Sequence, residues 1–198
     1  MAGIEPRKRP VQERSRALYA RTLDEAARIF DQLGYHATTT NAVAAAAEVS
    51  VGSLYQYFPN KDALLVALAD RHLDEVRPLV VALSQQMRTE LPDVEQLSRV
   101  LVDAAMQWND TDRLHELLWR APRSQPIVDR LAALDQLMID ELQWHLERLG
   151  HPHDAARLRA QFIVTILEAV VHTQPIEHDR ERQAAELTRL CTAYLALR

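Results

Sequence analysis

Between Val49 and Leu65 the chain reads VSVGSLYQYFPNKDALL, and the side chains crowded there are better suited to gripping a ligand than to breaking bonds. Ser50, Ser53, Tyr55, Gln56 and Tyr57 supply uncharged hydroxyl and amide tips that pair with base edges and phosphates. Lys61 adds a cation. On a helical wheel for 51–58, Leu54 and Phe58 share one face and belong in a core. Ser53, Gln56 and Tyr57 share the opposite face, with Tyr55 at its flank. Gly52 falls in the first turn of this helix, where glycine costs about 1 kcal/mol relative to alanine. Two readings account for it. A missing Cβ lets the backbone and its N–H groups come close to DNA, or it relieves crowding between neighbouring helices.

Other constellations are weaker. Glu141/His145 and Glu168/His172 are carboxylate–imidazole pairs four residues apart, a spacing that chelates a cation or makes a helix-surface ion pair. Ion pairing is the commoner cause, so no metal and no cofactor are expected. The sequence has no P-loop, glycine-rich dinucleotide turn, HExxH or GxSxG, so no catalytic residue is expected either. His151-Pro152-His153 reads as an exposed turn between helices. The single cysteine, Cys191, excludes an intramolecular disulfide and a cysteine-based zinc cluster.

The elements that must position these groups are helical throughout. The chain has 198 residues, 4 glycines and no strand signal, with alanine, leucine and arginine abundant. Leu18, Thr22, Ala26, Ile29, Phe30 and Leu33 recur at helical spacing over 13–33, with Gly34 just past the end. Thr39 caps a short helix from Thr40 to Ala47, and Ser50 caps another from Val51 to Phe58. Pro59 ends the latter, and Asn60 caps a long helix opening at Lys61. Neither short helix holds alone, because nucleation is too costly at that length. Two short helices joined by a tight turn form a helix-turn-helix, whose second helix enters the major groove with its first turn. Further helices are predicted at 61–88 (bent or broken near Pro78), 92–109, 111–121, 125–149, 153–174 and 179–197.

Charge divides unevenly. Residues 1–21 hold six basic and two acidic side chains, whereas 62–198 hold fifteen basic and twenty-two acidic ones. The basic arm suits a polyanion or simply aids solubility; the acidic bulk does not suit a polyanion. The longest apolar run, Ala63 to Ala69, is too short to cross a bilayer, and the N-terminus lacks the apolar stretch of a secretory signal. A cytoplasmic protein without membrane partners is expected.

Over residues 13–66 the sequence resembles the TetR/AcrR transcriptional regulators. The resemblance rests on the threonine cap, Val43, the Val49-Ser50 pair, Gly52, Leu54-Tyr55, Tyr57-Phe58 and Lys61. It implies an all-α homodimer with a three-helix DNA-binding head and a larger effector-binding body, divided at 1–60 and 61–198. By the same resemblance Val51 and Gly52 meet bases, while Thr40, Ser50, Tyr55, Tyr57 and Lys61 hold phosphates. Ser53 and Gln56 match variable positions that tune sequence preference. Lys61 is one of only two lysines and sits where a cation opposes the helix dipole; a phosphate nearby would remove that conflict. The family often has glycine where this chain has Glu48, which must then accept a left-handed backbone.

The body carries no family motif. Phe162, Ile166 and Val170, with Leu187, Leu190 and Tyr194, lie on apolar sides of the last two helices; the family's dimer seam or intrachain core accounts for them. Met106, Trp108, His115, Trp119 and Met138, with Glu168 and His172, could line an effector pocket or be plain core. The expected function is a ligand-responsive repressor, released from a palindromic double-stranded operator by a small, largely apolar effector. The alternative is an effector-free DNA-binding or protein-interaction module with a solid C-terminal core.

Overall fold

Local signals decide where the helices of the head begin and end. The computed structural model describes residues 3–7, 10, 12–111, 113–122, 124–172 and 180–197, with side chains except at 108–111, 113, 115, 171 and 172. Helix α1 (Glu13–Ala37) buries Thr22, Leu23, Ala26, Ile29 and Phe30 along one stripe. Gly34 interrupts its helical geometry with φ 75° and ψ 164°, a region open essentially to glycine. The stripe stops one turn earlier than its spacing predicts, since Leu33 is 55% exposed.

Helix α2 (Thr40–Ala46) is capped by Thr39, whose hydroxyl accepts from the Ala42 N–H at 3.1 Å. Its far end closes by two backbone bonds, Glu48 N–H to Ala45 O and Val49 N–H to Ala44 O. That pairing is a Schellman motif, and it requires a left-handed residue at Glu48. Glu48 has φ 53°, the only positive φ outside glycine among the described residues. The expectation for this turn holds. Helix α3 (Val51–Tyr55) is capped by Ser50, which accepts from Ser53 N–H at 3.0 Å.

Helix α3 is shorter than the predicted 51–58. Leu54 O accepts from both Tyr57 N–H and Phe58 N–H, so the last turn tightens before Pro59. Asn60 then caps helix α4 (Lys61–Thr89) by accepting from Ala63 N–H at 2.9 Å. Pro78 does not divide this helix. The remaining helices are α5 (Val94–Thr111), α6 (Arg113–Arg120), α7 (Gln125–Arg148), α8 (His153–His172) and α9 (Arg180–Ala196). Gly150, at φ 94°, closes α7. None among the described residues is long and apolar enough to cross a membrane.

Packing gathers the chain into two compact units, one of residues 1–74 with 113–131 and one of 75–112 with 132–198. In the first unit α2 packs on α1 and on α3. Phe30, Leu54, Phe58, Leu64, Leu65 and Leu68 are fully buried there, joined by Leu118 of α6 and Ile127 of α7. Burying each such side chain contributes about 1.5–3 kcal/mol, which holds short helices that cannot stand alone. In the second unit α5 packs on α8 and α9 around Leu97, Leu146, Ile163, Cys191 and Leu195. Burial pushes the Cys191 thiol up to about 11, so it is inert core.

Candidate nucleic-acid interface

The helix-turn-helix brings most of the expected contact residues to one surface. Val51, Gly52, Tyr55 and Gln56 are exposed, and Thr40, Ser50 and Ser53 lie beside them. The Thr40 hydroxyl and the Tyr55 phenol are 3.0 Å apart, joining the start of α2 to the end of α3. Ser50 and Ser53 hydroxyls are 2.7 Å apart. A Cβ built on Gly52 would meet nothing nearer than the Ser50 hydroxyl at 3.9 Å. Crowding inside the chain therefore does not explain this glycine. Its open side faces outward.

Two expected contacts are placed differently. Tyr57 is only 7% exposed and packs edge-on against Tyr19, with ring centroids 5.7 Å apart. The tightened last turn of α3 rotates it away from the face that an ideal helix would give it. The Lys61 ammonium donates to the carbonyl oxygens of Tyr35 at 2.8 Å, His36 at 3.1 Å and Thr38 at 3.2 Å. It also lies 4.4 Å from the centre of the Tyr35 ring. Its conflict with the α4 dipole is thus met by the carbonyl-rich end of α1. Beside it Tyr35 donates a short hydrogen bond to Asp62. Burial, then Asp62, pushes the Tyr35 phenol up to about 12.

The basic arm supplies a residue that the spacing alone did not single out. Arg7 donates from its backbone to Tyr57 O at 2.8 Å and from its guanidinium to Tyr55 O at 3.2 Å, seating the arm at the end of α3. Glu5 is held in turn by Arg130, which also donates to Asp70 at 2.7 Å. The excess of cations in the arm was the only sequence signal for this.

The other sequence candidates divide. Leu190 is 47% exposed and Phe162 50%, with Tyr194 against Phe162 at 6.1 Å between ring centroids. Ile166 and Val170 are half-buried. Leu187 is 6% exposed within the single chain, so it belongs to that chain's own core instead of a seam. Trp119 is half-buried in the first unit; Met106, Met138 and Glu168 are half-buried in the second. Trp108, His115 and His172 have side chains outside the described residues. Among the described residues no group of three or more His, Cys, Asp or Glu is placed to hold a metal.

The Glu141/His145 pair is part of a partly buried polar cluster that the sequence only half revealed. Ser84 of α4 donates a short hydrogen bond to the Glu141 carboxylate and lies 3.2 Å from His145 Nε2. Arg88, one turn on, donates to the same carboxylate oxygen at 2.6 Å. Its guanidinium stacks 4.2 Å from the Trp144 ring centre. Burial, then the Arg88 charge, lowers the His145 pKa, with Glu141 and Ser84 opposing.

Two short helices joined by a tight turn, the second presenting uncharged polar tips around an open glycine, make a helix-turn-helix of the kind that reads DNA. Residues 23–68 match the model of the bacterial regulatory proteins of the tetR family. That stretch of the chain carries the family's sequence pattern. The chain is 28% identical over 137 residues to the HTH-type transcriptional regulator RutR of Escherichia coli K12; the match covers 68% of this chain but only 61% of that protein. A TetR-family regulator from Streptomyces coelicolor superposes with a TM-score of 0.65 at 25% identity, covering 91% of this chain and 97% of the other. FadR from Bacillus subtilis, solved in complex with stearoyl-CoA, gives a TM-score of 0.67 at 19% identity, covering 89% and 98%.

Proposed function

We propose that the protein is a cytoplasmic, dimeric, ligand-responsive transcriptional repressor that reads a palindromic operator and performs no catalysis. The observation that carries this reading is Gly52. It sits in the first turn of α3 with no internal contact that requires it, on an exposed face shared with Val51, Tyr55 and Gln56. Removing the Cβ there has a use only when another molecule comes close, and the surrounding tips suit DNA.

Residues 1–60 would then bind DNA, and 61–198 would bind the effector and the second protomer. The exposed apolar residues Leu158 and Phe162 on α8, with Leu190 on α9 and Leu197 just past its end, support a dimer. A two-fold protein also matches two half-sites about one turn of DNA apart. Helix α4 runs unbroken from Lys61, in the head, to Thr89. It supports a mechanism of population shift, in which effector and operator each weaken the other by one coupling free energy. The stearoyl-CoA bound by a protein of this fold supports an effector site that admits an apolar chain.

Footprinting on the DNA flanking the protein's own gene tests the reading. A protected palindrome, released by a compound that raises the melting temperature, is the expected result. No protection at low salt would overturn it.

A further inference from the structure

His145 poses a chemical question that the fold does not answer. The residue is 1% exposed, and its Nδ1 has no hydrogen-bond partner among the described residues. The other nitrogen fixes which tautomer is present. Ser84 gives its single proton to Glu141 in a short bond, and Arg88 donates to the same carboxylate oxygen at 2.6 Å. Ser84 can then only accept from His145, across 3.2 Å. His145 therefore carries its proton on Nε2, and Nδ1 presents a bare lone pair in a buried setting. An unmet buried acceptor of this kind costs about 1–3 kcal/mol, and the obvious means of meeting it is a donor brought from outside.

We propose that His145 Nδ1 is the polar anchor of the effector site and accepts a hydrogen bond from a neutral, largely apolar molecule bearing one hydroxyl or N–H group. The proposal rests on the effector-binding reading above and names the effector's chemistry. Neutrality follows from the cluster, since the Glu141 charge is already matched by Arg88. A metal ion is disfavoured because no further His, Cys, Asp or Glu groups gather there among the described residues. The apolar frame has a neighbour ready for it. Met138 lies seven residues before His145, on the same face of α7, half-buried, and its unbranched side chain adapts to a guest.

Nitrogen-15 NMR of histidine-labelled protein, with p-cresol and p-xylene as probes of the same shape, tests this. The free protein should show His145 as the Nε2–H tautomer. p-Cresol should shift the Nδ1 resonance and bind roughly tenfold more tightly than p-xylene, and His145→Phe should erase that preference. The Nδ1–H tautomer, equal affinities, a preference that survives in His145→Phe, binding of neither probe, or a water that p-cresol fails to displace would each overturn the proposal. The wild-type tautomer and affinities decide the matter even where His145→Phe does not fold. Operator protection without probe is read on the same preparation, so failure here is separable from failure of the repressor reading.

Discussion

The Lys61 ammonium donates to the carbonyl oxygen of Tyr35 at 2.8 Å, tying the first turn of α4 to the last turn of α1. With His36 and Thr38 the ammonium meets three carbonyls, equal to its three donors. Lys61→Met should therefore cost the head about 2 kcal/mol, in the range for hydrogen bonds to a charged group. Urea unfolding checks it. Unchanged stability, with a salt slope of DNA binding reduced by about one, would restore the phosphate role.

Gly52→Ala should separate fold from function. The new methyl meets only the Ser50 hydroxyl at ordinary distance, and alanine suits a helix better by up to about 1 kcal/mol. The variant should melt at or above the wild-type temperature yet lose operator affinity. A lower melting temperature would show that the glycine serves the chain's own packing.

The two tyrosines two residues apart should respond in opposite ways. Tyr57→Ala removes a ring from the core of the head and should cost about 3–5 kcal/mol. Tyr55→Phe removes only an exposed hydroxyl bonded to Thr40. It should leave stability within about 0.5 kcal/mol and weaken DNA binding across sequences. Calorimetry and a gel shift at fixed salt distinguish the two.

The second unit should be sensitive to acid through His145. Its pKa is depressed in the fold, so below the ordinary histidine value near 6.5 the unfolded chain binds the proton more readily. The contribution of neutral His145 is fully present above that value and falls as pH drops below it toward the depressed value. His145→Gln should flatten this part of the stability profile, measured by denaturant midpoints between pH 7 and pH 5. An equally steep profile in the variant would assign the acid sensitivity to other groups.

What could be read in the sequence was local. The caps at Thr39, Ser50 and Asn60, and the left-handed demand on Glu48, each depend on a few neighbouring residues, and each is present in the structure. What escaped depended on distance or on small departures from ideal geometry. Lys61 finds its partners 23 to 26 residues earlier in the chain. Tyr57 was assigned its face by ideal helical steps, which α3 abandons after Tyr55. Ser84 lies 57 residues from Glu141, so a spacing argument found half of that cluster and missed the rest.

Helix α9 carries two apolar stripes, and the last prediction uses the difference between them. Leu187, Cys191 and Leu195 follow one another at four-residue spacing and are buried within the chain. Leu190 and Tyr194 lie on the neighbouring stripe, followed by Leu197 just past the helix end, with Leu190 47% and Leu197 58% exposed. Sequence periodicity cannot tell such stripes apart, because both are apolar and both recur with the helix. Burial in one chain can. Leu187→Glu places a carboxylate in that chain's core, which costs several kcal/mol, and the variant should unfold. Leu190→Glu places it on an exposed surface that the proposed second protomer would cover, and a two-fold axis would bury it twice. That variant should fold normally by circular dichroism and sediment as a monomer at micromolar concentration. Its operator affinity should fall steeply, because two unlinked heads lose the effective concentration that a dimer provides. A stable dimer of Leu190→Glu would move the seam to another face.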